Sequence, residues 1–409
     1  MPSESRIELR KKTTRLVNQL SKAQLLDLFG ISRIADITGL DDIQMPVFTA
    51  TRVLSNTLSI HSGKGINPLD ARAGAICEAI ELHASEQPSD DAFVASAVQV
   101  PYDDRIDLSD CFPARASIVN DLTPIAWEEA INVQNGAPKL IPSDLIWMVP
   151  RIKDQPLMHF QSGSNGLASG ATLEDAILSG LYEVIERDAW TISHYLLENF
   201  GIFPERTPLV GLPDYLESIV RRVEDAKLKL YLFDCTTDYS VPVFSAMLLD
   251  LGGQCAGIFA GYGCNLNAET AALRAVTEAA QGRACYISGA RDDLLRRQFL
   301  LMKKINQVTL NAMFAKLPLG SPLSQYRRLN FDDVKTELRY LLKLIKSFGV
   351  SDVYAKELGT FLDGALYVAR VFSPQCEPHR FDFWTPTLRC TSYCQRKIKQ
   401  LAGEPTHGC

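Results

Sequence analysis

The sequence predicts an α/β (α+β) fold built from repeated units, each a helix followed by strands, with three glutamate-bearing helices gathered about one site. Three observations carry this prediction. A helix-strand-strand order recurs three times along the chain, and one helical segment occurs in three copies. In addition, Pro46-Val47-Phe48-Thr49-Ala50 returns almost letter for letter as Pro242-Val243-Phe244-Ser245-Ala246. Repetition at such wide spacing does not fit a solenoid and points to a pseudo-symmetric core.

In the first unit, residues 21–29 place apolar side chains at helical spacing, and Gly30 can close that helix in a left-handed turn. Residues 31–38 and 46–53 follow as strands, joined by the turn-rich Gly39-Leu40-Asp41-Asp42. The second unit repeats the order: residues 213–226 form an amphipathic helix, 228–234 and 241–249 are strands, and 256–262 is a further one. A third, weaker unit has a helix over 331–348 and strands over 353–358 and 365–372. The basic segment 296–316 and the Gly320-Ser321-Pro322 loop interrupt the pattern and are expected to be solvated surface.

With 46% hydrophobic and 22% charged residues, the 409-residue chain can bury a sizeable core. Forty-two Lys and Arg against 48 Asp and Glu leave a net charge of -6, so no overall positive field exists to hold a nucleic-acid backbone. Residues 1–17 are polar and basic without an apolar signal core, and no apolar run is long enough to span a bilayer. A cytoplasmic protein without membrane segments is expected. The 10 cysteines lack paired CxxC spacing and are expected to be reduced thiols. Cys390-x3-Cys394, with Cys376 and His379 upstream, matches no common metal site in ligand count or order.

The repeated helices occupy residues 67–84, 172–189 and 267–284. Aligned without gaps, they place Glu78, Glu183 and Glu278 in one column and Glu81, Glu186 and Gln281 three residues on. Ala71, Ala176 and Ala271 coincide, as do Ala84, Ala189 and Ala284. Residues three apart share a helix face, so each helix offers two oxygen-bearing side chains together. One such pair would ordinarily lie on a solvated face, but Ile76, Ala79 and Ile80, and Leu178, Leu181, Val184 and Ile185, make these helices too apolar for that. Carboxylates gathered in one place require cations, and Mg2+ binds through one or two carboxylates together with nucleotide phosphates. A Mg-nucleotide site follows, with Arg187 and Arg283 placed to steady phosphate oxygens.

Before each helix lies a glycine-rich stretch: Ser62-Gly63-Lys64-Gly65, Ser162-Gly163-Ser164-Asn165-Gly166 with Gly170, and Gly261-Tyr262-Gly263. Glycines there permit tight turns and close backbone approach, and Lys64 can reach a phosphate. None is a Walker loop or a GxGxxG fingerprint.

On these residues the chain resembles the YcaO superfamily, ATP-dependent enzymes that activate peptide backbone amides. The resemblance rests on Ser179-x3-Glu183-xx-Glu186-Arg187 and on Arg274-x3-Glu278-xx-Gln281-x-Arg283. It rests also on the SGKG run ahead of Glu78 and Glu81, and on the stretch from Gly30 to Asp41. It implies one catalytic domain over residues 11–372, with a flexible N-terminus at 1–10 and a tail at 373–409. It implies Glu78, Glu81, Glu183, Glu186 and Glu278 as Mg2+ ligands. Lys64, Gln281, Arg187 and Arg283 would hold ATP beside them, with Asp175 in place of a usual Glu and Arg15 as a further basic candidate. No histidine stands out as a general base.

The implied chemistry is nucleophilic attack on a backbone amide whose oxygen is phosphorylated by ATP and expelled as phosphate. A Cys, Ser or Thr side chain of the substrate gives an azoline, sulfide a thioamide, an amine an amidine. Azoline formation in the maturation of a ribosomally made precursor peptide is the first expectation, and TfuA-partnered thioamide formation is the alternative. An ATP-binding scaffold without amide chemistry is a reading of another class. Ala168 and Ala171 stand where many members have Ser or Asn, and the ending Glu404-Pro405-Thr406-His407-Gly408-Cys409 differs from the proline-rich tail of many azoline-forming members. No separate peptide-binding module is visible, so an E1-like or TfuA-like partner is expected, and homodimers are frequent among such proteins.

Overall fold

The computed structural model describes residues 6–87, 91–114, 117–149, 158–252, 257–292, 296–302, 304–378 and 384–403. Helices α1 (Arg6–Gln19) and α2 (Lys22–Phe29) lead into strands β1 (Arg33–Asp36), β2 (Val47–Thr51) and β3 (Ile60–Lys64), and then α3 (Pro68–Ser85). Strands β4 (Phe93–Ser96), β5 (Pro124–Asn132), β6 (Pro138–Pro142) and β7 (Leu167–Gly170) precede the long α4 (Leu173–Phe200). The second unit comprises β8 (Glu205–Arg206), α5 (Asp214–Asp225), β9 (Leu228–Asp234), β10 (Val243–Asp250), β11 (Ile258–Cys264) and α6 (Ala268–Ser288). Then come α7 (Arg296–Met302), α8 (Gln307–Lys316), α9 (Val334–Lys346), β12 (Tyr354–Phe361), β13 (Leu366–Phe372) and α10 (Leu388–Leu401).

Local chemistry sets the helix ends. Ser21 accepts from the Gln24 amide in a reciprocal capping box, and Gly30 closes α2 at φ 69°. Asn67, Thr172 and Asn267 each accept a backbone N–H three residues on, so all three glutamate helices start from a side-chain cap.

The strands form antiparallel sheets ordered β1-β2-β3, β11-β10-β9-β8 and β4-β5-β12-β13-β7, with β6 also on β5. The repeated Pro-Val-Phe segments begin the middle strands β2 and β10, where Phe48 lies opposite Gly63 and Phe244 opposite Gly263. Each repeat is therefore a helix and three strands, the last strand running into a glutamate helix. The third copy is closed out of chain order: β12 and β13 come late in the sequence, and β7, from just before α4, completes their sheet.

The glycine stretches explain the aligned alanines. A Cβ at Gly63 would lie 2.1 Å from the Ala71 carbonyl oxygen, and one at Gly263 2.1 Å from that of Ala271. At Gly170 it would lie 2.3 Å from the Ala176 amide nitrogen. Strand and helix backbones press together there, which needs glycine on one side and a small residue on the other.

Each glutamate helix buries its other faces. Ile76 and Ile80 of α3 pack with Phe29 and Ile31, and Leu181 and Ile185 of α4 with Leu338, Leu341 and Ile345 of α9. Ala275 and Ala279 of α6 lie in one cluster with Phe244 and Leu248. Each fully buried Leu, Ile or Phe contributes about 1.5–3 kcal/mol.

Three expectations need correction. Residues 6–10, expected to be flexible, belong to α1, which is anchored because Arg6 and Arg10 pair with Asp175 and because Thr13 and Val17 are buried. The basic segment is not all solvated surface: Phe314 of α8 is buried against Tyr231 and Phe233. The tail contains α10, whose Cys390 and Cys394 pack on Ile192 and Leu196 of α4. His379 and the terminal residues 404–409 lie outside the described residues. Among the described residues, no helix is long and apolar enough to cross a membrane.

Candidate functional site

A cavity of about 780 Å³ opens among α3, α4 and α6, lined by Glu78, Glu81, Glu183, Glu278 and Gln281, and by the cations Lys64, Arg10, Arg187, Arg274 and Arg291. Carboxylates from three distant parts of the sequence meet in it because α3, α4 and α6 ride on equivalent edge strands.

Each glutamate is held differently. Glu78 accepts from the Ser62 amide at 2.9 Å, and Glu81 from the amide and hydroxyl of Ser169 at 2.8 and 2.6 Å. Glu278 pairs with Lys64 at 2.7 Å. Glu183 and Glu186 face Arg187 only loosely, at 3.8 and 3.9 Å. Glu186 is 5% exposed and stands behind the cavity wall, where its charge is felt with that of Glu278. The Gln281 side-chain amide donates to the Ser62 carbonyl and hydroxyl, both at 2.8 Å, tying α6 to β3.

The electrostatics are those of buried carboxylates set close together. Burial pushes the Glu81 carboxyl up to about 8, and the like charges of Glu78 and Glu183 add to this against the Ser169 hydrogen bonds. Burial raises Glu183 to about 7, Glu186 and Glu278 adding and Arg187 opposing. Glu78 and Glu186 are raised as well, chiefly by burial. Only Glu278 goes down, because Lys64 and Arg187 outweigh its burial. Among the described residues, no three His, Cys, Asp or Glu side chains are gathered tightly enough to hold one ion by themselves. The arrangement fits Mg2+ nevertheless, since Mg2+ takes one or two carboxylates and completes its shell with phosphate oxygens and water.

The structure brings together Lys64, Glu78, Glu81, Glu183, Arg187, Glu278 and Gln281. Four other candidates do not line the cavity, and Glu186, expected as a Mg2+ ligand, is one of them because it is buried behind the wall. Arg283 is buried on the opposite side of α6, near Asp41 at 3.4 Å and Asp250 at 3.7 Å. It follows Glu278 by five residues, about 140° around a helix, whereas Arg187 follows Glu183 by four and returns to the same face. Arg15 is exposed on α1. The Asp175 carboxylate is turned to the Arg6 and Arg10 guanidinia and the Ala171 amide, so it orients Arg10 and does not itself line the cavity. Sequence reasoning missed Arg10, Arg291 and Ser169 altogether. Arg274 was visible, being four residues before Glu278 on one face of α6. His61, in the wall, has both ring nitrogens buried without a partner, and burial together with Arg52 lowers it to about 4, so it is neutral at pH 7.

A carboxylate- and arginine-lined cavity carried by three pseudo-equivalent helices defines a nucleotide-dependent α/β enzyme. Residues 62–377 match the family described as YcaO cyclodehydratase, ATP- and Mg2+-binding, and the chain belongs to this family. ATP and Mg2+ are therefore its cofactors. An uncharacterized protein of Methanothermobacter thermautotrophicus is 30% identical over 375 residues, 87% of this chain and 92% of that one. An uncharacterized protein in the tfuA 3′ region of Rhizobium leguminosarum bv. trifolii is 34% identical over 281 residues, 66% of this chain and 65% of its own length.

Two solved structures share the fold. YcaO from Methanopyrus kandleri, bound with AMPPCP and Mg2+, superposes with a TM-score of 0.69 at 22% identity, over 91% of this chain and 92% of that one. A heterocyclase in complex with substrate and cofactor gives 0.77 at 20% identity, over 97% of this chain but 56% of the heterocyclase.

Proposed function

We propose that this protein uses Mg-ATP to phosphorylate the oxygen of a backbone amide in a ribosomally made precursor peptide, so that a nucleophile can replace it. The observation that carries this reading is the set of four glutamates from three helices in one cavity, with Glu81 raised to about 8 and Glu183 to about 7. Such carboxylates call for divalent cations. Glu78, Glu81, Glu183 and Glu278 hold Mg2+ on this reading, and Glu186 supports them from behind. Lys64, Arg187, Arg274 and Arg10 steady phosphate oxygens from the surrounding walls. Mg-ATP supplies the phosphoryl group that turns a poor leaving oxygen into a good one, while the protein supplies position and neutralising charge.

Two products are open to this chemistry, and each has an observation behind it. The family's description as a cyclodehydratase favours azoline formation from Cys, Ser or Thr. The relative in the tfuA 3′ region favours thioamide formation with a TfuA-like partner. The protein, its E1-like or TfuA-like partner and a precursor peptide, incubated with Mg-ATP, will show loss of water in the first case. In the second, with sulfide added as the nucleophile, they will show oxygen exchanged for sulfur. Glu186→Gln is expected to lower peptide-dependent ATP turnover about 100-fold. Nucleotide binding with neither mass change, and no effect of Glu186→Gln, would reject amide activation and leave an ATP-binding scaffold.

A further inference from the structure

A second cavity, of about 340 Å³, opens beside the first and shares Ser164, Glu183 and Arg187 with it. Arg370, on β13, and Asn165, in the loop before β7, line it on the side away from the glutamates of α3 and α6. The Arg370 side chain is buried, with the residue 5% exposed. Its Nε donates to the Leu145 carbonyl at 3.1 Å and its Nη2 to the Gly163 carbonyl, but its Nη1 is buried with no partner. The Oδ1 of Asn165 is likewise buried and unpartnered.

These orphans have a shared meaning. Arg370 is a buried cation among neutral carbonyls, and the opposite charge felt there is that of Glu183. A buried charged donor without an acceptor is costly, so its retention at a cavity wall indicates that a ligand supplies the acceptor. A small anion would satisfy Arg370 and be repelled by the Asn165 oxygen. A peptide unit satisfies both, since its carbonyl accepts and its N–H donates. The volume lies within the ordinary range for ligand sites. Glu183 and Arg187 belong to both cavities, which sets a ligand here against the phosphate end of the nucleotide site.

We infer that this cavity seats the backbone of the peptide substrate, with Arg370 Nη1 donating to a backbone carbonyl and Asn165 Oδ1 accepting from a backbone N–H. The inference rests on the amide-activating reading above and names the side chains that hold the amide's neighbours. N-acetyl-Gly-Cys-Gly methylamide serves as the probe, with binding followed by saturation-transfer NMR on the full chain loaded with AMPPCP and Mg2+. Arg370→Ala and Asn165→Leu are each expected to weaken peptide binding at least about tenfold, the loss of one hydrogen bond in a buried site. AMPPCP affinity should change less than about twofold, because neither residue lines the glutamate cavity. Asn165→Leu decides the matter if Arg370→Ala fails to fold once Leu145 and Gly163 lose their donor.

Peptide binding that is undetectable in the wild type, or unchanged in Asn165→Leu, overturns the inference. So does a parallel loss of AMPPCP, which would assign both residues to the nucleotide. If inorganic phosphate binding, and not peptide binding, is what Arg370→Ala removes, the cavity is an anion site and the inference also fails. Amide activation is judged separately by the mass change of the precursor, so its failure and the failure of this subsite give different results.

Discussion

The front and back of the three glutamate helices carry charge for opposite purposes. The front column, Glu78, Glu183 and Glu278, faces the cavity; the column five residues on, His83, Asp188 and Arg283, faces the protein interior. Behind α3, Arg52 reaches His83 at 3.4 Å and Glu86 at 2.8 Å, and Glu86 also accepts from Ser55 and from the amide and hydroxyl of Thr57. Behind α4, Asp188 pairs with Arg389 of α10 at 2.7 Å. Behind α6, Arg283 sits between Asp41 and Asp250. The back charges have ion-pair partners within the chain, whereas Glu183 and Glu186 in front reach Arg187 only at 3.8 and 3.9 Å.

Two carboxylates, Glu81 within α3 and Glu86 at its C-cap, show the contrast. Burial pushes both up, but Arg52, Thr57 and Ser55 hold Glu86 below the usual carboxylate range, while Glu81 rises to about 8. Glu86 brings its donors with it. A ligand-binding carboxylate leaves part of its neutralisation to the ligand.

The largest effect should come from breaking the back. Glu86→Ala leaves Arg52 buried and unpaired, and is expected to cost about 3–5 kcal/mol of stability in chemical denaturation. A loss below about 1 kcal/mol would mean that the cluster is not structural and would dissolve the contrast.

A second measurement uses pH to sharpen it. Glu81 and Glu183 have folded pKa values, about 8 and about 7, above the unfolded value of about 4.3, so their contribution is favourable at low pH and lost as pH rises through the folded values. Without ligand, thermal stability should therefore fall between about pH 5 and pH 8. Asp188, raised to about 7 by burial, adds to the fall, but it lies outside the cavity and its share is not recovered by Mg2+. Stabilisation by Mg2+ with AMPPCP should grow over the same window as the front carboxylates ionise. Glu86 acts with the opposite sign, its contribution disappearing on acidification through its lowered pKa. Ligand stabilisation that is flat from pH 5 to pH 8 would show that the front glutamates do not hold the cation.

The smallest effect separates two arginines of one helix. Arg10 lines the cavity and is oriented by Asp175, whereas Arg15 is exposed. Arg10→Ala should raise the KM for ATP about tenfold, one charge-assisted hydrogen bond, and Arg15→Ala should change it less than about twofold. Equal effects would return Arg15 to the site.

Much of the site was legible because its signals are local. The cap residues, the spacing of Glu78 with Glu81 and of Glu183 with Glu186, and the paired glycines and alanines are all consequences of helix geometry and close strand–helix packing. Helical phase also held the answer for Arg283, since its five-residue spacing from Glu278 turns it away from the cavity while the four-residue spacing of Arg187 from Glu183 does not.

By itself, then, the sequence determined the repeated units, the helices that bear the carboxylates and the family they signify. Only the tertiary structure decided that Arg10 enters the cavity, that Ser169 holds Glu81, that β7 completes the sheet of β12 and β13, and that Arg370 is left with an unpaired donor. Each of these joins residues far apart in the chain, and such contacts follow from how finished sheets and helices pack, which no local pattern records.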